Sequence, residues 1–560
     1  MAIVNEWCEV TPVGDLLVRA AHLHPDRFAV IFPESRRTYA QLLEGTLQTA
    51  RGLVGLGVRR GDNIGLMSGN CIEFIQGFFA TLLVGCVAVP LNARHKAEEL
   101  AYIIANARLT TVLTTARDQE YVDFTALFAS ALPSLAGALD PTHLALPEAP
   151  DLRCAVLLSG NDRPGFLGLS QFQELAQSVD VAQVHHRRRC VQARDVAVTV
   201  YTSGTTAHPK GCMLTHESLS RGAVERARSR FRSSDHDVIW GGGPLYHIGS
   251  LAPFIGCVGA GATYLTDVYF EPYRALQLMM HEGVTTIWPW FPAVVQALLN
   301  DPSFDPQRLQ SLRTIILITP PSLVERVQTL FPAAEVLQAC GMTETSGIFA
   351  LSSPHDSAEH RRISHGRPAP GVEIRLVDPH TGLEVEPGQT GEILVRGYCV
   401  MTGYYRDPEK TAQALDQDGW LHTGDLYRQD EWGGLVFNGR FKDMLKVGGE
   451  NVAAFEVEAF LCSHPAVKLA EIVGRPDPRL DEVPVAFVEL QPDTVITEQE
   501  LIAFCKGRIA NYKVPRAVHF VLAGSWPMSA TKVNKNILRQ LVRQVPQDCS
   551  QVNCEAGTVS

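Results

Sequence analysis

No two cysteines in this 560-residue sequence are spaced as Cys-x-x-Cys, although the chain contains thirteen. The nearest pair, Cys549 and Cys554, stands in a polar tail. That excludes a readable zinc ribbon or disulfide framework and leaves reduced, buried thiols as the expectation. Basic charge is scarce as well. Forty-nine Lys and Arg against 60 Asp and Glu give a formal net charge of −11. Phosphate backbones need the opposite excess, so no nucleic-acid partner is expected. Long apolar runs are missing: the most apolar stretch, Gly77 to Leu91, ends on a strand-like segment that contains Pro90. A membrane helix needs roughly 20 apolar residues, so no membrane span is expected. The first ten residues carry Glu6 and Glu9 and no basic cluster, which reads as a cytoplasmic chain without a secretory signal. What is plentiful is ordinary globular material, 46% hydrophobic and 19% charged. At roughly 150 residues per domain, the length predicts about three or four folding units.

The pattern along the chain alternates short buried strands with helical stretches. Ile64 to Met67, Cys86 to Pro90 and Thr110 to Thr114 read as strands between helices, which predicts a parallel sheet covered on both faces. Residues 133 to 195 look irregular, and the run His185-His186-Arg187-Arg188-Arg189 reads as a solvated loop. Alternation resumes at Val196 and continues to about Leu330. Residues 366 to 440 are rich in Gly, Val, Ile and turns and read as a β-rich unit. A further stretch after Arg440 combines two helical patterns with short strands, among them Val485 to Leu490 and Val518 to Val521.

The most informative segment follows the strand Ala197-Val198-Thr199-Val200. It reads Thr202-Ser203-Gly204-Thr205-Thr206-Ala207-His208-Pro209-Lys210-Gly211. Small hydroxyl residues and glycine let backbone N–H and side-chain O–H groups close around phosphate oxygens, and the lysine adds a point charge. It is not a Walker loop, which needs Ser or Thr directly after the lysine. The segment resembles the signature of the adenylate-forming superfamily: acyl- and aryl-CoA synthetases, luciferase-type enzymes and peptide-synthetase adenylation domains. Further segments resemble that family in order. They are Pro244-Leu245-Tyr246-His247-Ile248-Gly249, Gly341-Met342-Thr343-Glu344, Gly419-Trp420-Leu421-His422-Thr423-Gly424-Asp425, Gly439-Arg440-Phe441-Lys442-Asp443 and Gly448-Gly449-Glu450-Asn451. The resemblance covers about residues 12 to 543.

The resemblance implies an α/β fold: a large N-terminal domain (1–440) of two parallel-type sheets with helices plus a distorted β-barrel, and a small mobile α+β domain (441–546), with 547–560 a disordered tail. It implies that a carboxylate and MgATP give an acyl-adenylate and pyrophosphate, and that a thiol, CoA or a phosphopantetheine arm, then gives a thioester and AMP. In that scheme Thr202, Ser203, Gly204, Thr205, Thr206 and Lys210 hold the outer phosphates, with Gly341, Met342 and Thr343 at the adenylate and Glu344 on Mg²⁺. Asp425 takes the ribose hydroxyls, having two oxygens for two donors, and Arg440 supports the ribose-phosphate side. Lys532 is the adenylation lysine and His247 a gate at the carboxylate tunnel. Lys442 is the hinge. Val447, Gly448, Gly449 and Glu450 border the CoA channel. His247, Trp290, Phe291, Thr345 and Gly347 line the substrate pocket. Lys535 is the rival to Lys532, and the helix after the loop is expected to leave it in solvent.

Three positions depart from the family pattern. Cys340 stands where an aromatic stacks on adenine, Ile318-Thr319-Pro320-Pro321 replaces a glycine-rich segment, and Thr531 takes the place of the glycine before Lys532. No acid lies in the gate segment Leu245 to Ala252, and an unpaired substrate ammonium in an apolar pocket costs several kcal/mol, so amino acids are disfavoured. A fatty, aryl or alicyclic acid fits better. The resulting reading is an ATP-dependent acyl-CoA synthetase, monomeric or homodimeric. The alternatives are an adenylation-only or luciferase-like enzyme, or a degenerate nucleotide-binding protein.

Overall fold

The computed structural model describes residues 10–118, 120–202, 208–448, 450–529 and 532–544; of Trp290, Asn451, Ser529, Lys532 and Gln544 it describes the backbone only. Ser203, Gly204, Thr205, Thr206, Gly449 and the expected tail lie outside the described residues. The chain divides into two compact units, residues 1–374 with 395–421, and residues 375–394 with 422–560.

The first unit holds two large sheets. In the seven-stranded one, Asn63–Met67 runs parallel to Val87–Pro90 and to Leu109–Ala116, with Ile64 opposite Ala88 and Leu66 opposite Leu113. Every residue of Asn63–Met67 is buried. This is why it reads as a continuous apolar run rather than an alternating one: helices cover both faces. Val196–Thr202 joins this sheet through Ala88 and Val198, then pairs antiparallel with Lys210–Thr215. In the nine-stranded sheet, Val238–Gly241, Thr286–Trp290, Thr314–Leu317 and Glu335–Met342 are parallel neighbours. The direction reverses at Gly347–Leu351, which pairs antiparallel with Glu335–Met342.

Helices begin where capping chemistry allows. Thr215 accepts from the Ser218 N–H to start His216–Glu225, and His247 caps Ile248–Ala260 through its ring. Pro321 occupies the first position of Pro321–Leu330. The two prolines that depart from the family pattern are thus helix-starting residues whose missing N–H costs nothing there. The stretch Gly77 to Leu91 is a helix, Ile72–Leu83, followed by a strand, Val87–Pro90. No helix among the described residues is long and apolar enough to cross a membrane.

Two expectations need correction. Residues 133–195 are not irregular: they contain the strand Cys154–Gly160 and the helices Leu169–Gln177 and Val181–Arg189. The basic run forms the end of the last helix. There Arg187 donates to the Val58 carbonyl (2.6 Å) and Arg188 pairs with Asp15 (3.2 Å). A charge run is no loop once its cations find carbonyl and carboxylate partners on neighbouring elements. The β-rich stretch before Arg440, in turn, gives an open four-stranded sheet among the described residues rather than a closed barrel.

In the second unit, the hairpin Leu421–Gln429 and Leu435–Arg440 precedes a five-stranded sheet. The sheet's centre is the long antiparallel pair Val467–Asp477 and Asp481–Leu490. The strands expected at Val485 to Leu490 and Val518 to Val521 are Asp481–Leu490 and Ala517–Phe520, and they run parallel to each other.

Candidate active site

Within the first unit, the phosphate-loop candidate is the connection of a β-hairpin. Thr202 and Lys210 are opposite one another at its base, so the loop's ends are pinned by sheet register. The Lys210 ammonium lies 4.6 Å from the centre of the Tyr404 ring, a cation–π contact. The Tyr404 hydroxyl donates to the Glu344 carboxylate (2.9 Å). Burial first, and the Glu344 charge second, push the Tyr404 hydroxyl well above its ordinary pKa, so it remains a donor. Tyr404 therefore ties together the two charged residues singled out on separate segments, Lys210 and Glu344. Sequence reasoning did not find it.

Glu344 sits in a tight turn where the nine-stranded sheet reverses. Thr343, Glu344 and Thr345 form one 3₁₀ turn, and Ser346 (φ 54°) and Gly347 (φ 97°) take left-handed conformations. Thr345 is fully buried. Its hydroxyl donates to the Gly347 carbonyl (2.8 Å) and accepts from the Met342 N–H (3.1 Å). Its polarity thus serves the turn. Gly341 is needed for a different reason: a Cβ there would lie 2.2 Å from the Gly347 carbonyl oxygen. No side chain fits between these two strands, so the glycine of the adenylate motif is also a packing requirement. Cys340 is buried opposite Ala350.

His247 caps the helix Ile248–Ala260 by accepting from the Gly249 N–H through Nδ1 (3.0 Å), and its ring lies 6.3 Å from that of Phe291, edge to face. Behind the helix start lies a small cavity of about 20 Å³, room for about one water molecule. Its walls include Ile248, Gly249, Ala252 and Pro253 from this helix, Trp288 from Thr286–Trp290, and Gly347. Gly347 is the residue of the expected pocket that lines it; the Trp290 side chain is outside the described set. Arg226 and Phe231, from the far end of the preceding helix, also line it. Nothing in the linear sequence links Arg226 to the gate segment. The signal was three-dimensional.

The second unit carries the remaining candidates. Arg440 pairs with Asp425 (3.0 Å), the two facing each other across the hairpin Leu421–Gln429 and Leu435–Arg440. Asp425 follows Thr423, whose hydroxyl accepts from the Asp425 N–H (3.1 Å) and donates to the Ile393 carbonyl (2.7 Å). Lys442 is central in the 3₁₀ turn Phe441–Asp443. Its carbonyl accepts from Arg539 Nη2 (3.2 Å), which also pairs with Asp443 (2.5 Å). Val447 and Glu450 close the hairpin of Met444–Val447 and Glu450–Ala453, with Gly448 in the turn. Lys532 begins the short strand Lys532–Val533, opposite Ser529.

Lys535 is not in solvent. It pairs with Glu458 and with Glu471 (3.2 Å), its side chain 17% exposed. Residues 535, 538, 539 and 542 share one face of the helix Lys535–Gln544, and Leu538 and Val542 are buried among Val473, Val485 and Phe487. The i, i+3, i+4, i+7 spacing turns Lys535 inward with them. Three acids surround it, and their charges outweigh burial and raise its pKa. The raised Glu471, at about 7, is mainly a burial effect reinforced by Glu458.

Comparisons place these observations among known proteins. Residues 17–405 match the model of the AMP-binding enzyme family, and residues 456–531 that of the AMP-binding enzyme C-terminal domain. The chain is 34% identical over 549 residues to the 3-[(3aS,4S,7aS)-7a-methyl-1,5-dioxo-octahydro-1H-inden-4-yl]propanoyl:CoA ligase of Mycobacterium tuberculosis, covering 96% of this chain and 100% of that one. It is 31% identical over 548 residues to the mitochondrial medium-chain acyl-CoA ligase ACSF2 of Mus musculus, covering 95% and 88%. Among solved structures, the anthranilate CoA ligase AuaEII in complex with anthranoyl-AMP superimposes with a TM-score of 0.82, at 27% identity over 95% of this chain and 97% of that one.

Proposed function

The chain belongs to the AMP-binding enzyme family, and from that premise we propose that it is an AMP-forming acyl-CoA synthetase acting on a fatty, aryl or alicyclic carboxylate. The substrates and cofactor are the acid, ATP with Mg²⁺, and CoA. A carboxylate is a poor electrophile, and AMP makes it one with a good leaving group. The first half-reaction joins two anions, so the site must neutralise charge and align the carboxylate oxygen with the α-phosphorus. Pyrophosphate leaves; thiol attack on the acyl carbonyl then expels AMP.

The observation that carries this reading is the Lys210–Tyr404–Glu344 assembly in the same unit as a gated, mostly apolar cavity. A cation and a carboxylate held on one phenol suit the two ends of a metal-nucleotide polyphosphate. Glu344 is half-buried, and its carboxylate accepts one hydrogen bond, from Tyr404, among the described residues. That leaves oxygen lone pairs for a hard cation, so the residues fit Mg²⁺, which supplies charge neutralisation at the phosphates. Lys210 and the 202–206 loop bind the outer phosphates, and Thr343 donates to the α-phosphate. Asp425, backed by Arg440, takes the ribose. His247 gates the acid, and Lys532 stabilises charge developing between the carboxylate and the α-phosphate. Val447 to Glu450 admit the thiol. The enzyme works in the cytoplasm.

The test is pyrophosphate release over a panel of medium-chain, aryl and alicyclic acids, with and without CoA. Acid-dependent release, with thioester and AMP formed in equal amounts when CoA is present, is the expected result. ATP binding without release for every acid would overturn it.

A further inference from the structure

The acyl cavity is not wholly apolar. Arg226, one of its lining residues, is 4% exposed. It stands where the helix His216–Glu225 passes into a π turn, Arg226–Arg230, a backbone irregularity frequent at functional sites. The guanidinium has five N–H donors. Among the described residues it makes one hydrogen bond, from Nη1 to the Ile348 carbonyl (2.6 Å), and no ion pair. Burial is the main influence on it and lowers its pKa; Tyr398, Glu225 and Cys399 act in the other direction. The neighbouring Tyr398 hydroxyl is also buried without a hydrogen-bond partner among the described residues. Arg226 Nη1 and this hydroxyl would lie 2.7 and 3.1 Å from a Cβ at position 222, so Gly222 leaves the room that both occupy.

An interior cation with four donors unspent is costly unless something pairs it. Other buried or half-buried arginines of this unit do not share its position. Arg313 meets Asp237 (2.7 Å), and Arg274 meets Asp267 (2.8 Å). Arg226 makes no such ion pair among the described residues, although the Glu225 charge acts on it, and it lines a cavity. We infer that this small cavity receives only the far end of a carboxylic acid substrate, that this end bears an acceptor oxygen, a keto carbonyl or a second carboxylate, and that Arg226 selects it. The inference rests on the synthetase reading and refines its substrate class. The activated carboxylate goes to the His247 end, and the distal oxygen accepts from the guanidinium. An acid ending in methyl leaves those donors unpaired. Sites built to hydrogen-bond a substrate group reject the analogue that lacks it far more strongly than apolar pockets reject an added group.

The experiment uses matched acids: hexanoate, 5-oxohexanoate and hexanedioate, with cyclohexanecarboxylate and 4-oxocyclohexanecarboxylate as the ring pair. It compares kcat/KM for thioester formation in the wild type, Arg226→Lys and Arg226→Met. In parallel, calorimetry measures binding of the corresponding non-hydrolysable acyl-sulfamoyl adenosines, which reads the cavity without turnover. The wild type should favour an oxygen-bearing acid over its alkyl match at least tenfold in both assays. Arg226→Met should remove that ratio, and Arg226→Lys should keep part of it. The oxo and dicarboxylate arms identify which acceptor is preferred. Equal or reversed preference in the wild type overturns the inference even if both variants fail to fold. A uniform loss across all acids in folded Arg226→Met overturns it too, since Arg226 would then only hold Ile348. Binding of the analogues with the expected ratio but no turnover of any acid would instead count against the synthetase reading.

Discussion

Two lysines three positions apart illustrate what a residue's type does and does not reveal. Lys532 and Lys535 are chemically the same, and the sequence ranks them only through the motif that one of them resembles. The structure separates them by environment. Lys535 is locked between Glu458 and Glu471, whereas Lys532 begins a two-residue strand in a hairpin with Met528–Ser529. The inward turn of Lys535 was legible in principle, because Leu538 and Val542 mark the buried face on which it lies. The ion cluster waiting there was not, since Glu458 and Glu471 come from a distant helix and strand. Removing one partner of a buried ion pair typically costs about 3 to 5 kcal/mol. Lys535→Met is therefore expected to lower the unfolding temperature sharply. Lys532→Ala should leave it nearly unchanged and slow adenylate formation by about 2 to 4 kcal/mol, the scale for one electrostatic stabiliser. Differential scanning calorimetry with single-turnover pyrophosphate release separates the two. A stable, fast Lys532→Ala beside a stable, inactive Lys535→Met would reverse the assignment.

At the scale of elements, strands were readable where burial on both faces makes a continuous apolar run, as in Asn63–Met67 and Val87–Pro90. The turn at Gly341 to Glu344 was readable as a motif. That its glycine also lets two antiparallel strands approach closely was not, because the clash partner is a backbone oxygen of the returning strand. The basic helix Val181–Arg189 was misread because charge suggests solvent until partners are known. The helix Lys535–Gln544 against the strand Val467–Asp477 yields a pH dependence. Glu471 faces Glu458, Lys535 and Asp443, with Arg539 on Asp443. Its pKa rises from 4.5 unfolded to about 7 folded, so the folded state binds the proton more tightly. The stability it contributes is complete below about pH 4.5 and is lost as pH rises towards 7. Asp443 is held low and Lys535 high, so neither titrates in that window. Hydrogen exchange at amides of Val467–Asp477 should show Glu471→Gln gaining about 1 to 3 kcal/mol relative to wild type between those pH values. A difference that stays flat with pH would contradict the burial argument.

For the whole molecule, the proposed chemistry makes two incompatible demands. Lys532 must act at the α-phosphate in the first half-reaction, and a narrow thiol must reach the same carbonyl in the second. We propose that the small domain meets them in turn by rotating at Lys442, withdrawing Lys532 and presenting the Val447 to Asn451 segment. Such hinges absorb the change at one or two backbone positions. Lys442 is central in the 3₁₀ turn Phe441–Asp443, where a proline's fixed φ can be accommodated. Arg539 reaches its carbonyl, which proline retains. Lys442→Pro should therefore fold yet lose freedom at the turn. The expected outcome is adenylate formation near the wild-type rate in a single turnover, with acyl-CoA formation from preformed adenylate slowed by two orders of magnitude or more, about 2.7 kcal/mol in barrier. Rapid-quench measurement of the two half-reactions decides it. Thioester formation at the wild-type rate would eliminate alternation at this turn. A uniform loss of both half-reactions with an unchanged unfolding profile would place the rigid requirement in the first step instead. The circular dichroism melt keeps that outcome distinct from simple misfolding.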